Sequence, residues 1–248
     1  MIGLGHGRQP RSLCAVVLGL VLAATLAPAA GAAGVPTPTA NIPLGPLPAD
    51  CTSAPTGAVC ENAALARLNA ARAKLGLGPY LVPAGFVTLR PIRQWLILVN
   101  LDRVAYRLRP VGGLTAALNA IAKQGAQRRG DPNPWPMVMK LPGQLTIGFT
   151  SNWAGGQPNA LIAYYGWVYD DGYGSGNIDC PNPAAAGCWG HRRDIFAFGS
   201  ATVLSMGAAV VAGEPSYAMT IVETTTAPWP YTYTWAAAKA GGAGARHG

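Results

Sequence analysis

Ionisable side chains are scarce in this chain. Its 248 residues include 10 acids and 3 histidines, and only 11% are charged. No stretch is dense enough in Lys and Arg to serve as a nucleic-acid-binding arm, which argues against nucleic acid as a partner. The 18 basic residues still give a net charge of +8. Such a charge favours contact with anionic envelope polymers or lipid head groups, although a merely soluble basic surface explains it equally simply.

Long apolar runs are absent except near the N-terminus. There the run Leu13–Leu26 follows Arg8 and Arg11 and precedes a group of small residues that ends at Ala33. This order predicts a secretory signal peptide over residues 1–33, cleaved near Ala32 or Ala33. The run is shorter than the roughly 20 residues that a membrane span needs, so we expect no transmembrane segment after cleavage. The mature charge is then 16 − 10 = +6, and the protein is extracellular or associated with the cell envelope.

Cysteine is infrequent too, and its number is informative. The chain has five cysteines, of which Cys14 falls inside the predicted signal. An exported protein with four remaining cysteines favours two disulfides, with three connectivities open. We prefer Cys51–Cys60 and Cys180–Cys188, because each pair closes a short local loop and would contribute about 2 to 3 kcal/mol. Neither pair has the two-to-four-residue spacing of a zinc site.

Composition and periodicity divide the mature chain into regions. Residues 34–50 are dense in proline and predict an extended linker, residues 51–94 a helical extension, residues 95–225 the main domain, and residues 226–248 a flexible tail. Apolar residues at helical spacing predict four helices, over 61–75, 88–108, 114–128 and 158–170.

Two patterns in the main domain predict strands. Alternation in 145–150 favours a short strand followed by a turn over Ser151–Gly156. The apolar runs 201–212 and 216–224, separated by a Gly/Pro turn, predict an antiparallel hairpin.

One phrase recurs at an offset of 31 residues. Asn69-Ala-Ala-Arg72, followed by Gly76-Leu-Gly-Pro79, returns as Asn100-Leu-Asp-Arg103, followed by Arg107-Leu-Arg-Pro110. Two copies are too few for a solenoid. We expect two helices that end in turns of similar chemistry.

The stretch Trp167–Ile195 carries most of the potential chemistry. It places Asp170, Asp171, Asp179 and His191 around the Cys180–Cys188 loop. It lacks the ordered acidic positions and terminal glutamate of an EF-hand. Two interpretations stay open: a loop whose aspartates bond its own backbone and whose histidine is structural, or a weak divalent-cation site formed by Asp170, His191 and water.

The same stretch resembles a known family. The sequence W-V-Y-D ending at Asp170, then W-G-H-R-R-D-I-F from Trp189, then Met206-Gly207-Ala208, is similar to the bacterial branch of the CAP superfamily (cysteine-rich secretory proteins, antigen 5, pathogenesis-related 1). The phrase Asn100–Pro110 resembles the opening of such domains, and the similarity covers residues 95–225. It implies an α+β fold, a three-layer α-β-α sandwich, here with a helical N-terminal extension. It also implies a cleft in which two histidines and two acids hold a divalent cation.

The resemblance transfers only part of this cleft. His191 matches the second histidine and Asp170 matches one acid, whereas Ser151, followed by Asn152, stands at the position of the second acid. The first histidine has no counterpart, and its region offers only Asp131. A hydroxyl beside an imidazole and a carboxylate can form an activated nucleophile, so Ser151, His191 and Asp170 are candidate catalytic residues. No G-x-S-x-G elbow surrounds Ser151.

These observations leave three functional hypotheses. The first is a monomeric, secreted, non-catalytic module that binds an envelope lipid or glycan without a cofactor beyond a weakly held cation. Its cleft would include Asp131, Asn152, Trp167, Asp171 and Arg192. The second is a secreted hydrolase that uses Ser151, His191 and Asp170 or a weakly bound metal. The third is a structural surface protein, so the sequence leaves open whether the chain is an enzyme.

Overall fold

The structure, a computed structural model, describes residues 35–141, 146–199, 202–211, 213 and 215–245. The predicted signal peptide lies outside these residues. The described residues combine one mixed β-sheet with α-helices, and the predicted α+β class is confirmed. None of the described helices is both long enough and apolar enough to cross a membrane.

The sheet has five strands in the order β2-β4-β3-β1-β5. Their bounds are β1 Gly113–Thr115, β2 Thr146–Gly155, β3 Val203–Val211, β4 Ser216–Thr224 and β5 Tyr231–Thr234. The predicted hairpin is confirmed, since β3 and β4 pair antiparallel from Val203↔Thr224 to Val211↔Ser216. The pair β1–β3 is parallel, and the remaining pairs are antiparallel. The strand β2 therefore lies at one edge of the sheet.

Three of the helices begin at a side-chain N-cap. The Asn159 side chain accepts the N–H of Ile162 at 3.0 Å, and the Thr115 side chain accepts that of Leu118 at 3.1 Å. Pro91 occupies the first turn of its helix, where no N–H is needed. The bounds are α1 Asp50–Ser53, α2 Ala58–Lys74, α3 Pro91–Ala105, α4 Ala116–Arg128, α5 Trp135–Val138, α6 Ala160–Tyr169, α7 Gly190–Phe196 and α8 Trp235–Ala240.

The two faces of the sheet belong to different apolar clusters. Met206 and Met219 lie in the large cluster with Trp95 of α3 and Trp167 of α6. Val222 instead packs with Leu118 of α4 in a small second cluster. This division follows from the period-two alternation of strand side chains. The three-layer CAP arrangement remains a prediction.

The predicted linker and helical extension are parts of the same core. Ile42, Leu68 and Phe86 are buried in one cluster with Trp95 and Trp167. The boundary predicted at residue 94 falls inside α3. The apolar stripe of α2 needs a partner to be buried, and α6 supplies it, so residues 51–94 do not form a separate extension.

The predicted flexible tail is largely ordered. The alternating sequence Tyr231–Thr234 forms β5, which pairs with β1 at Leu114↔Tyr233. Next comes α8, which buries Trp235 and Ala238. The aromatic alternation is a strand signal that the Ala/Gly-rich sequence after it obscured.

Both preferred disulfides are present, Cys51–Cys60 and Cys180–Cys188. The turn predicted over Ser151–Gly156 is wrong, because Ser151 to Gly155 continue β2 and pair with β4 as far as Gly155↔Ser216. Local turn propensity is overridden here by cross-strand pairing.

The repeated phrase forms the same structure twice. Asn69 accepts the N–H of Tyr80 at 2.7 Å, and Asn100 accepts that of Val111 at 2.6 Å, eleven residues ahead in both cases. Arg72 and Arg103 each donate through Nε, at 2.7 Å, to the carbonyl six residues ahead. The predicted similar turns are therefore confirmed.

The two turns differ at one position. Each needs a left-handed residue after its helix, and Gly76 (φ +72°) fills it in the first copy whereas Arg107 (φ +59°) fills it in the second. A Cβ at Gly76 would meet nothing within 4 Å, so the difference between the copies is backbone strain alone.

We therefore predict that Arg107→Gly raises the free energy of unfolding by about 0.5 to 1 kcal/mol. Glycine adopts the left-handed backbone conformation without strain, and the Arg107 side chain that is lost is exposed. The converse substitution, Gly76→Ala, should lower it by about 1 kcal/mol. Urea unfolding of the two variants beside the parent protein checks both signs. A destabilised Arg107→Gly variant would contradict the assignment of the strain.

Candidate functional site

A cavity of about 320 Å³ opens beside the middle of β2. Its described lining consists of three aspartates, one histidine, one serine and two glycines: Asp131, Ser151, Asp179, Gly187, Gly190, His191 and Asp194. Among these residues there is neither a basic side chain other than His191 nor a large apolar one. The cavity is accordingly polar and acidic.

The short helix α7 supplies two of the lining side chains. His191 and Asp194 are three residues apart, so they project from the same side of the helix. Two side chains of β2 fix the helix backbone: Asn152 donates to the His191 carbonyl at 2.9 Å, and Thr150 donates to the Asp194 carbonyl at 3.0 Å. The strand thereby holds α7 in place through side chains of one face.

Asp171 orients the His191 imidazole. Its Oδ1 lies 2.7 Å from His191 Nδ1, and its Oδ2 accepts the backbone N–H of Arg192 at 3.4 Å. Asn177 donates to the same Oδ1 at 2.6 Å. With Nδ1 engaged, Nε2 is the nitrogen left to face other groups, and it lies 4.0 Å from Asp179 Oδ2. A carboxylate on Nδ1 fixes both the ring orientation and the tautomer.

Trp167 stacks on the imidazole. The two ring centroids are 6.5 Å apart with an interplanar angle of 28°. The Trp167 indole N–H donates to the Trp153 carbonyl at 3.1 Å, which fixes the indole on β2. The imidazole is thus held on two sides, and its side chain is 14% exposed.

The disulfide loop forms the outer wall. The backbone of Gly187 approaches Asp179 so closely that an added Cβ would lie 2.0 Å from the Asp179 carbonyl oxygen. Only glycine fits such a contact. Arg193 braces the loop from α7 by donating to the carbonyls of Cys188 at 2.6 Å and Ala186 at 2.5 Å.

The clustered charges shift several pKa values. Burial raises the pKa of Asp194 to about 7, an effect that His191 opposes and Asp131 reinforces. Removal from water likewise raises the pKa of Asp131. Burial lowers the pKa of His191, but the hydrogen bond and charge of Asp171, with the charges of Asp131 and Asp179, outweigh it and leave that pKa above 6.5. At neutral pH the cavity therefore contains proton donors and acceptors together.

Ser151 lines the cavity, but its hydroxyl is engaged elsewhere. Its Oγ donates to Thr220 Oγ1 at 3.1 Å, and Thr220 in turn donates to the Thr150 carbonyl at 2.7 Å. The serine proton therefore points along the sheet towards β4. The nucleophilic role of Ser151 remains a prediction.

The structure assigns the partner of His191 differently from the sequence hypothesis. Asp170 ends α6 and is absent from the described cavity lining, and its nearest charged influence is Asp171. The chain turns at Asp170, so it is the next residue, Asp171, that reaches under α7. The Asp170–His191 pair is accordingly replaced by Asp171–His191.

Three predicted cleft residues lie behind the cavity. Asn152 and Trp167 are buried and support His191 as described above. Arg192 is also buried, and its guanidinium turns away, donating to the Val168 carbonyl at 2.9 Å and to the Tyr106 hydroxyl at 3.1 Å. Of the predicted cleft set, Asp131 alone lines the cavity.

Sequence reasoning missed Asp194 and did not assign Asp179 a role. Asp194 lies three residues after His191, and that helical spacing was the available signal. Asp179 was treated as part of the disulfide loop only.

The structure does not bring the two predicted cation ligands together. Asp170 is absent from the described cavity lining, whereas His191 lies in it with Nδ1 bonded to Asp171. In the described ranges, no group of three or more His, Cys, Asp or Glu residues is arranged to hold a metal ion. A weakly held cation therefore remains a prediction.

Comparisons of the chain with family models, curated proteins and solved structures found no match. The CAP resemblance therefore continues to depend on the motifs quoted above.

We predict that Asp171→Asn lowers the pKa of His191, because an amide removes the negative charge that stabilises the imidazolium. Proton NMR of the histidine ring checks this value, and the predicted mature chain keeps only His191 and His247. Because the native pKa is raised, the pair stabilises the fold fully below about pH 6.5, and this stabilisation is lost as pH rises through the native pKa.

Asp170→Asn is the matched control for this measurement. It removes the adjacent charge and should change the His191 pKa much less. A larger effect of Asp170→Asn than of Asp171→Asn would overturn the assignment of the pair.

Proposed function

We propose that this chain is an extracellular binding module that recognises a neutral or amine-bearing glycan of the cell envelope through the acidic cavity. The observation that carries the proposal is the lining itself, three carboxylates with a histidine and a serine hydroxyl. Carboxylates accept hydrogen bonds from sugar hydroxyls and form charge-assisted bonds with ammonium groups. The cavity has the volume of a small-ligand site.

The same lining argues against a lipid. An acyl chain needs apolar walls, whereas the described lining offers acidic, polar and glycine positions. Anionic head groups and phosphorylated sugars would meet three aspartates, and like charges at close range are unfavourable. Of the two ligand classes that the sequence suggests, the glycan is the better match.

An aromatic pair beside the cavity supports the glycan class. The backbone of Trp153 lies near Asp131 and lowers the pKa of its carboxyl against the larger effect of burial, while Trp135, four residues on, packs on Phe149 with ring centroids 6.2 Å apart. Phe149, Ser151 and Trp153 project from the same face of β2, so the segment 131–135 passes alongside Ser151. Trp135 is 52% exposed, which leaves indole surface free for a sugar ring to stack on.

The predicted export and the fold support an extracellular location for this binding module. The predicted signal peptide and the two disulfides suit an oxidising, extracytoplasmic location. We further propose that the domain is a divergent CAP-like sandwich, on the strength of the G-H-R element at Gly190 and of helices that meet both sheet faces. The mature charge of +6 adds a non-specific attraction to anionic envelope polymers outside the cavity.

We predict that a glucosamine tetrasaccharide binds the mature protein more tightly than its N-acetylated counterpart, because acetylation removes the ammonium groups. Asp131→Asn or Asp179→Asn should weaken that binding by roughly tenfold, the equivalent of one charge-assisted hydrogen bond. Isothermal titration calorimetry measures both effects. Asp50→Asn, an exposed acid outside the cavity lining, is the control and should bind as the parent does.

Two further arms separate the ligand classes. Trp135→Ala should weaken the tetrasaccharide severalfold if a sugar stacks on the indole. Vesicles of phosphatidylcholine with phosphatidylglycerol should not displace the tetrasaccharide. Displacement by vesicles, or equal binding by the Asp131→Asn and Asp179→Asn variants, would sink the proposal.

A hydrolase is the second candidate, and the ionisation of the cavity favours it. Asp194, with its pKa near 7, is able to give a proton to a leaving oxygen at neutral pH. Asp131 or Asp179 would accept a proton from water as the water oxygen bonds to the sugar carbon and the glycosidic C–O bond breaks. This acid–base pair does not need a Ser151 nucleophile, whose proton is donated to Thr220.

If this candidate is right, we expect slow cleavage of the glucosamine tetrasaccharide that Asp194→Asn abolishes while binding is kept. The rate should fall above about pH 7, since the acid is then deprotonated. Ser151→Ala should retain activity. Chromatography of the reducing-end products measures turnover, and the absence of cleavage on glycoside, ester and peptide panels would leave the binding module as the function.

A further inference from the structure

The segment ahead of α1 is more than a spacer. Residues 35–48, here called the strap, have no regular secondary structure, yet they bond to residues of α1, α2, α6 and α7. Ile42 donates its N–H to the Tyr169 carbonyl at 2.8 Å, and the Tyr165 hydroxyl donates to the Ile42 carbonyl at 2.9 Å. The Ile42 side chain is 8% exposed and belongs to the main core. The strap is therefore an integral part of the fold beside the C-terminal end of α6.

Asn41 forms hydrogen bonds with the backbone immediately after Asp171. Its Oδ1 accepts the Gly172 N–H at 2.7 Å, and its Nδ2 donates to the carbonyls of Gly172 at 3.2 Å and Tyr173 at 2.8 Å. One side chain thus satisfies three backbone groups of a loop that has no ladder of its own. Asn41 and Gly172 are in close contact, since an added Cβ on Gly172 would lie 2.8 Å from Asn41 Oδ1.

The N-terminal part of the strap contacts Arg192, the residue after His191. Pro36 accepts through its carbonyl from Arg192 Nη2 at 3.2 Å. The strap therefore contacts the neighbours of both members of the Asp171–His191 pair, at Gly172 through Asn41 and at Arg192 through Pro36. Without the contact at Gly172, the backbone at Asp171 would be held chiefly by the Trp189 N–H, which donates to the Asp171 carbonyl at 2.8 Å, while α7 would keep its bonds to β2.

We infer that Asn41 is a positioning residue of the acidic cavity, which holds the backbone at Gly172 so that the Asp171 carboxylate stays bonded to His191 Nδ1. It touches neither the cavity nor any ligand in it. The expected effect on ligand affinity rests on the proposed function. The structural part of the inference concerns only the Asp171–His191 hydrogen bond. Asparagine suits the task because only an amide offers one acceptor and two donors on a short side chain.

The test uses the complete mature chain with Asn41→Ala. The expected result is a downward shift of the His191 pKa, in the direction of the value in Asp171→Asn, as the loop moves and the carboxylate withdraws. Affinity for the glucosamine tetrasaccharide should fall about two- to tenfold, the equivalent of a single lost hydrogen bond. Histidine ring NMR and calorimetry supply the two measurements, and far-ultraviolet circular dichroism verifies that the variant is folded.

Arg67→Met is the matched control. Arg67 also bonds the strap, through Nη2 to the Pro46 carbonyl at 2.7 Å, but at the end remote from Asp171. This variant should leave the His191 pKa unchanged. An unchanged pKa in folded Asn41→Ala, or an equal shift in Arg67→Met, would overturn the inference. If the parent chain fails to bind the tetrasaccharide, the proposed function fails, while the pKa comparison still decides the role of Asn41.

Discussion

Two adjacent buried residues of α3 fix the parts of the fold that carry the site. Asp102 pairs with Arg72 of α2 and accepts the hydroxyls of Tyr80 and Tyr164, both at 2.6 Å, which ties α3 to α2 and α6. Arg103 donates to the carbonyls at the end of α7 and just beyond it: Ile195, Ala197 and Phe198. Because α6 leads into Asp171 and α7 carries His191, this charged pair of neighbours sets the spacing of the site. Buried charges are tolerated only when fully satisfied, and a satisfied network rigidifies what it joins.

The distribution of acids argues that the cavity has a function. Of the chain's 10 acidic residues, three line the cavity and a fourth, Asp171, stands directly behind His191. Burial raises the pKa of Asp194 to about 7, and the like charges of Asp131 and Asp171 add to this effect. A basic chain gains no stability from such a cluster, and perturbed carboxyls around a cavity are typical of functional sites.

Local chemistry could be predicted from the sequence, and long-range packing could not. The disulfide pairs, the β3–β4 hairpin and the repeated Asn/Arg turns all involve residues close in sequence, where spacing decides the geometry. The partner of His191 was mistaken by one residue, because the direction in which a chain leaves a helix end is set by tertiary contacts such as that of Asn41. The C-terminal segment and residues 35–48 are ordered because they bond to β1 and α6, respectively, which are far away in sequence. Asp194 was not recognised from the sequence, because its place in the cavity depends on the packing of α7 against β2.

The cavity owes its location to the open edge of the sheet. An exposed edge strand presents unpaired N–H and C=O groups that must be covered. At Trp153 the backbone N–H lies near Asp131 and stabilises its carboxylate, and the Trp167 indole N–H donates to the carbonyl at 3.1 Å. The side chains of Thr150 and Asn152, on the face of β2 opposite to that of Ser151, bond to the backbone of α7. Residues two apart direct their backbone groups to the same side, so Ser151 shares this edge with Trp153, and it is there that the lining opens into the cavity. Asp131 thus lies at the exposed edge of β2 and, with Asp179, His191 and Asp194, gives the cavity its charge.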